Sequence, residues 1–165
     1  MAEKTTAFLL LGSNIGQRKA NLHRAIQLLE QRIGPIVAKS HLYETEPWGV
    51  HDQPHFINQA IALCTSLPPT TLLHTLKTIE REMGRTQTVR WHARLIDIDI
   101  LLYGDHIIES QELCIPHPGL AQRNFALVPL MEIAATYLHP VLGKTIEELY
   151  FGSKDSLEVY RIEDE

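Results

Sequence analysis

Asp97 and Asp99 lie two residues apart in the run Leu95-Ile96-Asp97-Ile98-Asp99-Ile100-Leu101-Leu102-Tyr103, which is otherwise apolar. Read as a β-strand, Ile96, Ile98, Ile100 and Leu102 take one face, and Leu95, Asp97, Asp99 and Leu101 take the other. The two carboxylates then point the same way, roughly 6–7 Å apart. Like charges on a half-buried surface repel each other and resist desolvation. A solvated sheet face would tolerate them, and that is the bland reading of a bare D-x-D. The chemical reading is that each carboxylate reaches a divalent cation, or that the pair bridges two cations at about 3.5–4 Å separation. Magnesium suits such a site, because it needs one or two carboxylates and completes its shell with water and phosphate oxygens. Arg85, Arg90 and Arg94 fall within ten residues, just before this strand. Their planar, permanently charged forks match phosphate oxygens. Cation-binding carboxylates and arginines facing one pocket describe a phosphoryl-transfer site. The alternative for the arginines is a solvated loop balancing Glu80 and Glu82, which is the expectation for Arg81.

Other candidates carry less. Leu11-Gly12-Ser13-Asn14-Ile15-Gly16 follows a strand pattern and precedes a helical one, as phosphate loops do. It matches neither G-x-G-x-x-G nor G-x-x-x-x-G-K-[ST], so it reads as a turn and helix cap. His23 and His74 fall on helical patterns at the surface, His41 on a strand, and no His/Cys spacing suggests zinc. His117 differs, because Pro116 and Pro118 flank it and Arg123 follows six residues later. A rigidly presented imidazole could touch phosphate, and a purely structural turn fits as well. Phe56 and Asn58 share a strand face, and Phe125 follows Arg123. Two rings and an amide could hold a flat heterocycle, though both rings also suit a plain core. Cys64 and Cys114 sit among apolar residues and read as buried free thiols.

The elements that must position these groups follow from the apolar period. Residues 7–11 read as a buried strand. Leu22, Ala25, Ile26, Leu29 and Ile33 follow helical spacing until Gly34-Pro35. Residues 36–43 and 56–64 alternate as strands. Pro68-Pro69-Thr70-Thr71 opens a second helix with Leu72, Leu76, Ile79 and Met83 inside, closed by Gly84. Residues 95–103 form the aspartate strand, and 106–109 a short edge strand after a turn at Gly104-Asp105. Short helices are expected near Pro129 and over 145–150. The order β-α-β, β-α-β predicts an α+β, ferredoxin-like antiparallel sheet with the long helices packed against it, in preference to a doubly wound parallel sheet. Two long loops, 44–55 and 84–94, are expected to be mobile and to act as lids or binding segments.

Length and charge set the remaining bounds. A chain of 165 residues is expected to form a single domain over 1–165. No stretch approaches the ~20 apolar residues of a membrane span, and MAEKTTAF lacks a signal-peptide core, so a cytoplasmic address is expected. Residues 145–165 hold seven acids against Lys154 and Arg161, which accounts for the whole net charge of −5. This acidic C-terminal tail, about 150–165, is expected to be solvated and frayed. The rest of the chain is neutral, without the basic field of a nucleic-acid binder.

Several separated stretches, taken together, resemble the 6-hydroxymethyl-7,8-dihydropterin pyrophosphokinases. They are LLLGSNIGQR, YETEPWG, DQPHFINQA, IEREMGR, RWHARLIDIDILLYGD and IPHPGLAQRNFALVPLMEIA, in that order over nearly the whole chain. The most specific are R-x-x-D-[IL]-D-[IL] at 94–100 and P-H…R-x-F at 116–125. The resemblance implies a ferredoxin-like fold and Mg²⁺-dependent transfer of pyrophosphate from ATP to the pterin, in folate synthesis. By position, Asp97 and Asp99 would hold two Mg²⁺ ions, and Arg85 and Arg94 would neutralise the migrating phosphates. Arg90 and Trp91 would lie in the loop that closes over them. Glu80, Ile100, His117 and Arg123 would line the ATP site. Thr45, Glu46, Trp48, Phe56, Asn58 and Phe125 would form the pterin site. Ala93 and Leu95 flank Arg94 where the family usually has proline and threonine, and Thr45-Glu46-Pro47-Trp48 replaces a more proline-rich stretch. These departures touch the loops and the pterin edge, not the two carboxylates.

The resemblance further implies attack by the pterin hydroxymethyl oxygen on the β-phosphorus of ATP, with Asp97 as proton acceptor and a monomer as the working form. Two rivals belong to other classes. A ferredoxin-like RNA-binding module would want aromatics on an open sheet face with a basic surround; here the face carries carboxylates. An inactive nucleotide sensor would not need Asp97, Asp99, Arg85 and Arg94 together.

Overall fold

Residues Ala7 to Leu11 are all buried, because they form the middle of a strand covered on both faces. The computed structural model describes residues 3–45, 55–84 and 95–163. In chain order it contains β1 (Thr5–Ser13), α1 (Arg18–Arg32), β2 (Ile36–Lys39), β3 (Leu42–Thr45), β4 (Phe56–Thr65) and α2 (Pro69–Glu82). These are followed by β5 (Asp97–Tyr103), β6 (Ile108–Glu109), β7 (Cys114–Ile115), α3 (Asn124–Ala134), α4 (Ile146–Phe151) and β8 (Val159–Ile162). The main sheet runs β5-β1-β4-β3-β8, with β2 also on β4, and each of these pairings is antiparallel. This is the α+β architecture expected from the sequence. β6 and β7 form a separate small hairpin beside β5.

Helices α1 and α2 cover one face. Leu22, Ala25, Ile26 and Leu29 of α1 and Leu72, Leu76 and Ile79 of α2 pack on Leu9, Leu11, Ile57, Ile61, Ile98 and Ile100. Helices α3 and α4 cover part of the opposite face, where Leu127, Leu130, Ile146 and Leu149 pack on Phe8, Leu10, Ala60 and Ala62.

Several expectations need correction. The strand expected over 36–43 is two strands, because Ser40 turns inward at the break. Its hydroxyl accepts the Ala60 N–H (3.0 Å), and its carbonyl accepts from the Gln59 side chain (2.7 Å). The alternation expected through β5 fails after Ile100. Leu9 pairs with Ile100 and Phe8 with Leu102, so Leu101 is skipped in a β-bulge. Leu101 and Leu102 therefore both join the α3/α4 layer, and Tyr103 returns to the α1/α2 layer. The helix expected near Pro129 starts earlier, at Asn124, with Pro129 inside it. The described part of the acidic tail contains regular structure, where a frayed end was expected. Thr145 caps α4 through a capping box with Glu148, and β8 adds a strand along β3. Cys64 is half-buried and Cys114 is exposed, so neither is the fully buried thiol expected.

Candidate functional site

The strand register places the candidate residues in rows. Tyr43 pairs with Asn58, Asn58 with Gly12, and Gly12 with Asp97, giving one row across four strands. Thr45 and Phe56 pair in a flanking row, and Asp99, opposite Leu10, lies in the row on the other side. All of these residues alternate onto the face that α3 and α4 only partly cover.

Gly12 is the hinge of the row. A Cβ there would stand 2.6 Å from Asn58 Oδ1 and 3.5 Å from Phe56 Cδ1. The missing side chain lets Asn58 lie over β1, toward the aspartates. Asn58 is 4 % exposed and Thr45 2 %, and Asn58 Nδ2 donates to Thr45 Oγ1 at 3.4 Å. Phe56 and Phe125 are half-buried, and Phe125 packs against the α3/α4 core.

Asp97 and Asp99 are half-buried at the outer edge of the sheet. The peptide between them is fixed from α2, because the carboxylate of Glu80 accepts the Ile98 N–H at 2.7 Å. Glu80 is only 3 % exposed. A buried carboxylate accepting a backbone N–H sets the height of the edge strand against the helix. A cleft of about 230 Å³ runs along this edge, lined among others by Lys77, Glu80, Asp97, Asp99, Ile100 and His117.

The chain after β7 forms the far wall. The His117 N–H donates to the carbonyl of Leu101, the residue skipped at the bulge, at 3.0 Å. His117 Nδ1 accepts the Gly119 N–H at 3.0 Å. Burial lowers the His117 pKa, the Arg123 charge lowers it further, and Asp97 opposes both. The imidazole is therefore neutral at pH 7, with its proton on Nε2, free to be donated to an acceptor. The Arg123 guanidinium lies over the Phe125 ring at 5.8 Å. Glycine at 119 leaves room for this placement, since a Cβ there would come within 2.7 Å of Arg123 Nε and the guanidinium would have to shift.

The structure thus brings Glu80, Asp97, Asp99, Ile100 and His117 to one cleft, and Thr45, Phe56 and Asn58 to the adjoining rows. Arg123 and Phe125 stand together at the start of α3. Arg85, Arg90, Trp91, Arg94, Glu46 and Trp48 lie outside the described residues. Two pairings differ from the loop-balancing scheme: Glu82 pairs with Arg32 of α1, and Arg81 donates to Thr78.

Four contributors were not singled out from the sequence, although Gly12, Arg18 and Glu132 lie within stretches that carry the resemblance. Gly12 is one. Arg18 of α1 donates to the Glu44 carboxylate and to the His55 carbonyl, both at 2.8 Å, and so ties β3 to the residue before β4. Glu132 of α3 accepts from Tyr43 Oη (2.6 Å), the His41 ring (2.6 Å) and the His41 N–H (3.0 Å). Asp155 accepts the Asn124 N–H at 2.8 Å. Each is a long-range contact that local patterning does not encode.

Among the described residues, no group of three or more His, Cys, Asp or Glu side chains could hold a metal ion. Two half-exposed carboxylates in a polar cleft still fit magnesium, which keeps most of its shell for water and phosphate.

Comparison with known proteins identifies the family of the chain. The family model described as 7,8-dihydro-6-hydroxymethylpterin-pyrophosphokinase (HPPK) matches residues 8–135. A 2-amino-4-hydroxy-6-hydroxymethyldihydropteridine pyrophosphokinase of Bacillus subtilis is 47 % identical over 128 residues, covering 77 % of each chain. The enzyme of the same name from Aquifex aeolicus is 41 % identical over 143 residues, covering 87 % of this chain and 89 % of its own. A folate synthesis bifunctional protein of Arabidopsis thaliana is 44 % identical over 138 residues, covering 81 % of this chain and 28 % of its own. Among solved structures, wild-type Plasmodium falciparum HPPK-DHPS with SDX-DHP superposes with a TM-score of 0.77 at 20 % identity. That match covers 92 % of this chain and 45 % of the other, so this chain spans under half of it and the likeness speaks to the fold alone. The chain belongs to the 7,8-dihydro-6-hydroxymethylpterin-pyrophosphokinase family and is a diphosphokinase of folate biosynthesis that uses ATP.

Proposed function

We propose that the protein transfers the diphosphate of ATP to the hydroxymethyl group of 6-hydroxymethyl-7,8-dihydropterin, with AMP as the other product. The observation that carries this reading is the row Asn58–Gly12–Asp97. Adjacent strands are about 4.8 Å apart, so the amide of the heterocycle pocket and the first carboxylate are anchored roughly 10 Å apart on one face. A flat bicyclic ring whose polar edge meets Asn58 extends its exocyclic arm toward the aspartates.

Asp97 and Asp99 would hold two Mg²⁺ ions, which when bound supply charge neutralisation for the polyphosphate. The chain's own residues do the rest. Thr45, Phe56, Asn58 and Phe125 hold and orient the pterin, with Glu46 and Trp48 as further contacts. His117 donates from Nε2 to a phosphate oxygen, and Arg123 contributes a fixed positive charge beside it. Arg85, Arg90, Trp91 and Arg94 complete the ATP site, and Glu80 holds the aspartate strand in place. The hydroxymethyl oxygen forms a bond to the β-phosphorus. The bond from that phosphorus to the oxygen bridging to the α-phosphate breaks, its electron pair leaving with AMP. Asp97 accepts the hydroxyl proton.

As part of the same reading, residues 1–165 act as one pyrophosphokinase domain, working as a cytoplasmic monomer. Among the described residues no helix is long and apolar enough to cross a membrane. The test is mass spectrometry of ATP and 6-hydroxymethyl-7,8-dihydropterin incubated with the protein and Mg²⁺. AMP and the pterin diphosphate are expected in equal amounts. ADP with a pterin monophosphate, or no nucleotide consumption, would overturn the proposal.

A further inference from the structure

The family model matches the chain only as far as residue 135, yet residues 153–163 return to the site in two places. The first is the start of α3. Its N-cap residue, Arg123, makes no side-chain cap bond. Asp155 fills that role from a distance: its Oδ2 accepts the Asn124 N–H at 2.8 Å, and its backbone carbonyl accepts from Asn124 Nδ2 at 3.4 Å. The carboxylate is itself held in a turn. Asp155 Oδ1 accepts the Leu157 N–H at 3.0 Å, and Ser153 Oγ accepts the Asp155 N–H at 3.2 Å. A carboxylate at a helix N-terminus satisfies an orphan donor and interacts favourably with the helix dipole. The second place is β3, where β8 pairs antiparallel with Val159 opposite Thr45 and Ile162 opposite Leu42. Beyond it, the Glu163 carbonyl accepts from Lys19 on α1 at 2.9 Å.

The two elements gripped in this way each carry a residue assigned to the pterin site: Phe125 lies in the first turn of α3, and β3 ends at Thr45. Apolar packing holds α3 on β1 and β4, and β3, only four residues long, is bonded to α3 through Tyr43 and Glu132. Segment 153–163 adds a connection that holds the start of α3 and β3 at once. We propose that segment 153–163 is a strap that sets the width of the heterocycle pocket, with Asp155 as its positioning residue. The inference rests on the pterin reading above and adds to it that the pocket's geometry is completed by chain outside the family's matched core.

The experiment compares full-length wild type with Asp155→Ala, Asp155→Asn and, as a control on the same segment, Lys154→Ala, whose side chain is exposed. Losing a cap interaction corresponds to roughly a five- to tenfold effect. Asp155→Ala is expected to raise KM for 6-hydroxymethyl-7,8-dihydropterin by about that factor, with kcat within about twofold. Asp155→Asn keeps an accepting oxygen and should restore most of the loss, and Lys154→Ala should behave as wild type. A lowered Tm with unchanged KM in Asp155→Ala would reduce the segment to a stabilising tail and overturn the proposal. Should that variant not fold, Ser153→Ala, which removes only the hydroxyl accepting the Asp155 N–H, takes its place. A rise in KM of about twofold is then expected, and no rise overturns the proposal. If wild type does not turn over the pterin at all, the proposed reaction fails, and the strap is judged from hydrogen exchange over residues 43–45 and 124–126. Asp155→Ala accelerates exchange in both stretches if the strap grips both walls. Unchanged protection in either one overturns it.

Discussion

The two faces of the sheet are built by different means. The face under α1 and α2 is closed by periodic apolar side chains, Leu22, Ile26 and Leu29 against Leu9 and Leu11, and Leu72, Leu76 and Ile79 against Ile98 and Ile100. Its stability is distributed over many dispersion contacts, with the buried Glu80 carboxylate on the Ile98 N–H as a polar tie set among them. The other face is covered over only part of its rows. Its covering elements are tied down at a few polar points: Glu132 to Tyr43 and His41, Asp155 to Asn124, and His117 to Leu101. A face that must admit a ligand cannot be closed by packing, so its walls are held by directional bonds instead. Substitutions on the first face should therefore act on folding, and substitutions on the second on substrate binding and turnover.

The largest separation of these effects is expected at the aspartates. Asp97→Ala or Asp99→Ala should lower kcat by about a thousandfold or more, equivalent to at least ~4 kcal/mol of transition-state stabilisation. Thermal stability should hold or rise, because each change removes one of two neighbouring like charges. The counterpart on the first face is Leu76→Ala, at a fully buried position on α2. It should cost about 2–5 kcal/mol of folding free energy in denaturant titration, with KM for both substrates unchanged. If Leu76→Ala altered KM as strongly as it altered stability, the division between the faces would fail.

What the sequence made legible follows the same division. The helix stripes and the buried run of β1 are local periodic patterns, and the α+β architecture could be read from their order. The bulge at Leu101 could not, since a strand that skips one partner keeps an apolar sequence on either side of the skip. The break at Ser40 was hidden for the opposite reason. The alternation of residues 36–43 runs through it, and only the Ser40 hydroxyl, turned to the Ala60 N–H, marks the interruption. At the site, residue types revealed the aspartates, and the family resemblance supplied Thr45, Glu80 and Arg123. Glu132 and Asp155 act across separations of 89 and 31 residues, and nothing in their own neighbourhoods distinguishes them from solvated acids. The expectation of a frayed tail failed on this point, because charge content speaks to solubility and not to whether an acid finds a backbone N–H.

Gly12 sharpens the comparison with a smaller effect. It belongs to an interior strand, where added apolar bulk is usually a folding matter, but its missing Cβ faces Asn58 Oδ1 at 2.6 Å. Gly12→Ala must push the Asn58 side chain aside. KM for the pterin should rise about tenfold or more, with ATP affinity and Tm little changed, since the Asn58 amide can swing without moving the backbone. Isothermal titration with each substrate separates the two affinities. Equal losses for both would place Gly12 with the packing residues.

The smallest effect tests whether a polar tie differs from a packed contact at all. Burial pushes the Glu132 carboxyl upward, but hydrogen bonds from the Tyr43 hydroxyl and from the His41 N–H and ring outweigh it. The group is left below its ordinary value of 4.5. A depressed carboxylate contributes stability that is present in full above its unfolded pKa and is lost as pH falls through the folded one. Glu132→Gln keeps the shape and removes the charge, so it should cost about 1–2 kcal/mol near pH 7. The wild-type and variant stability curves should converge only as pH falls through the depressed folded pKa of Glu132, where wild type is protonated as well. Because Tyr43 pairs with Asn58 in the site's central row, KM for the pterin should also rise by about threefold, a shift of ~0.7 kcal/mol. Convergent stability curves with an unchanged KM would mean that this tie acts as the apolar face does, and that Tyr43 holds the fold without reaching the substrate.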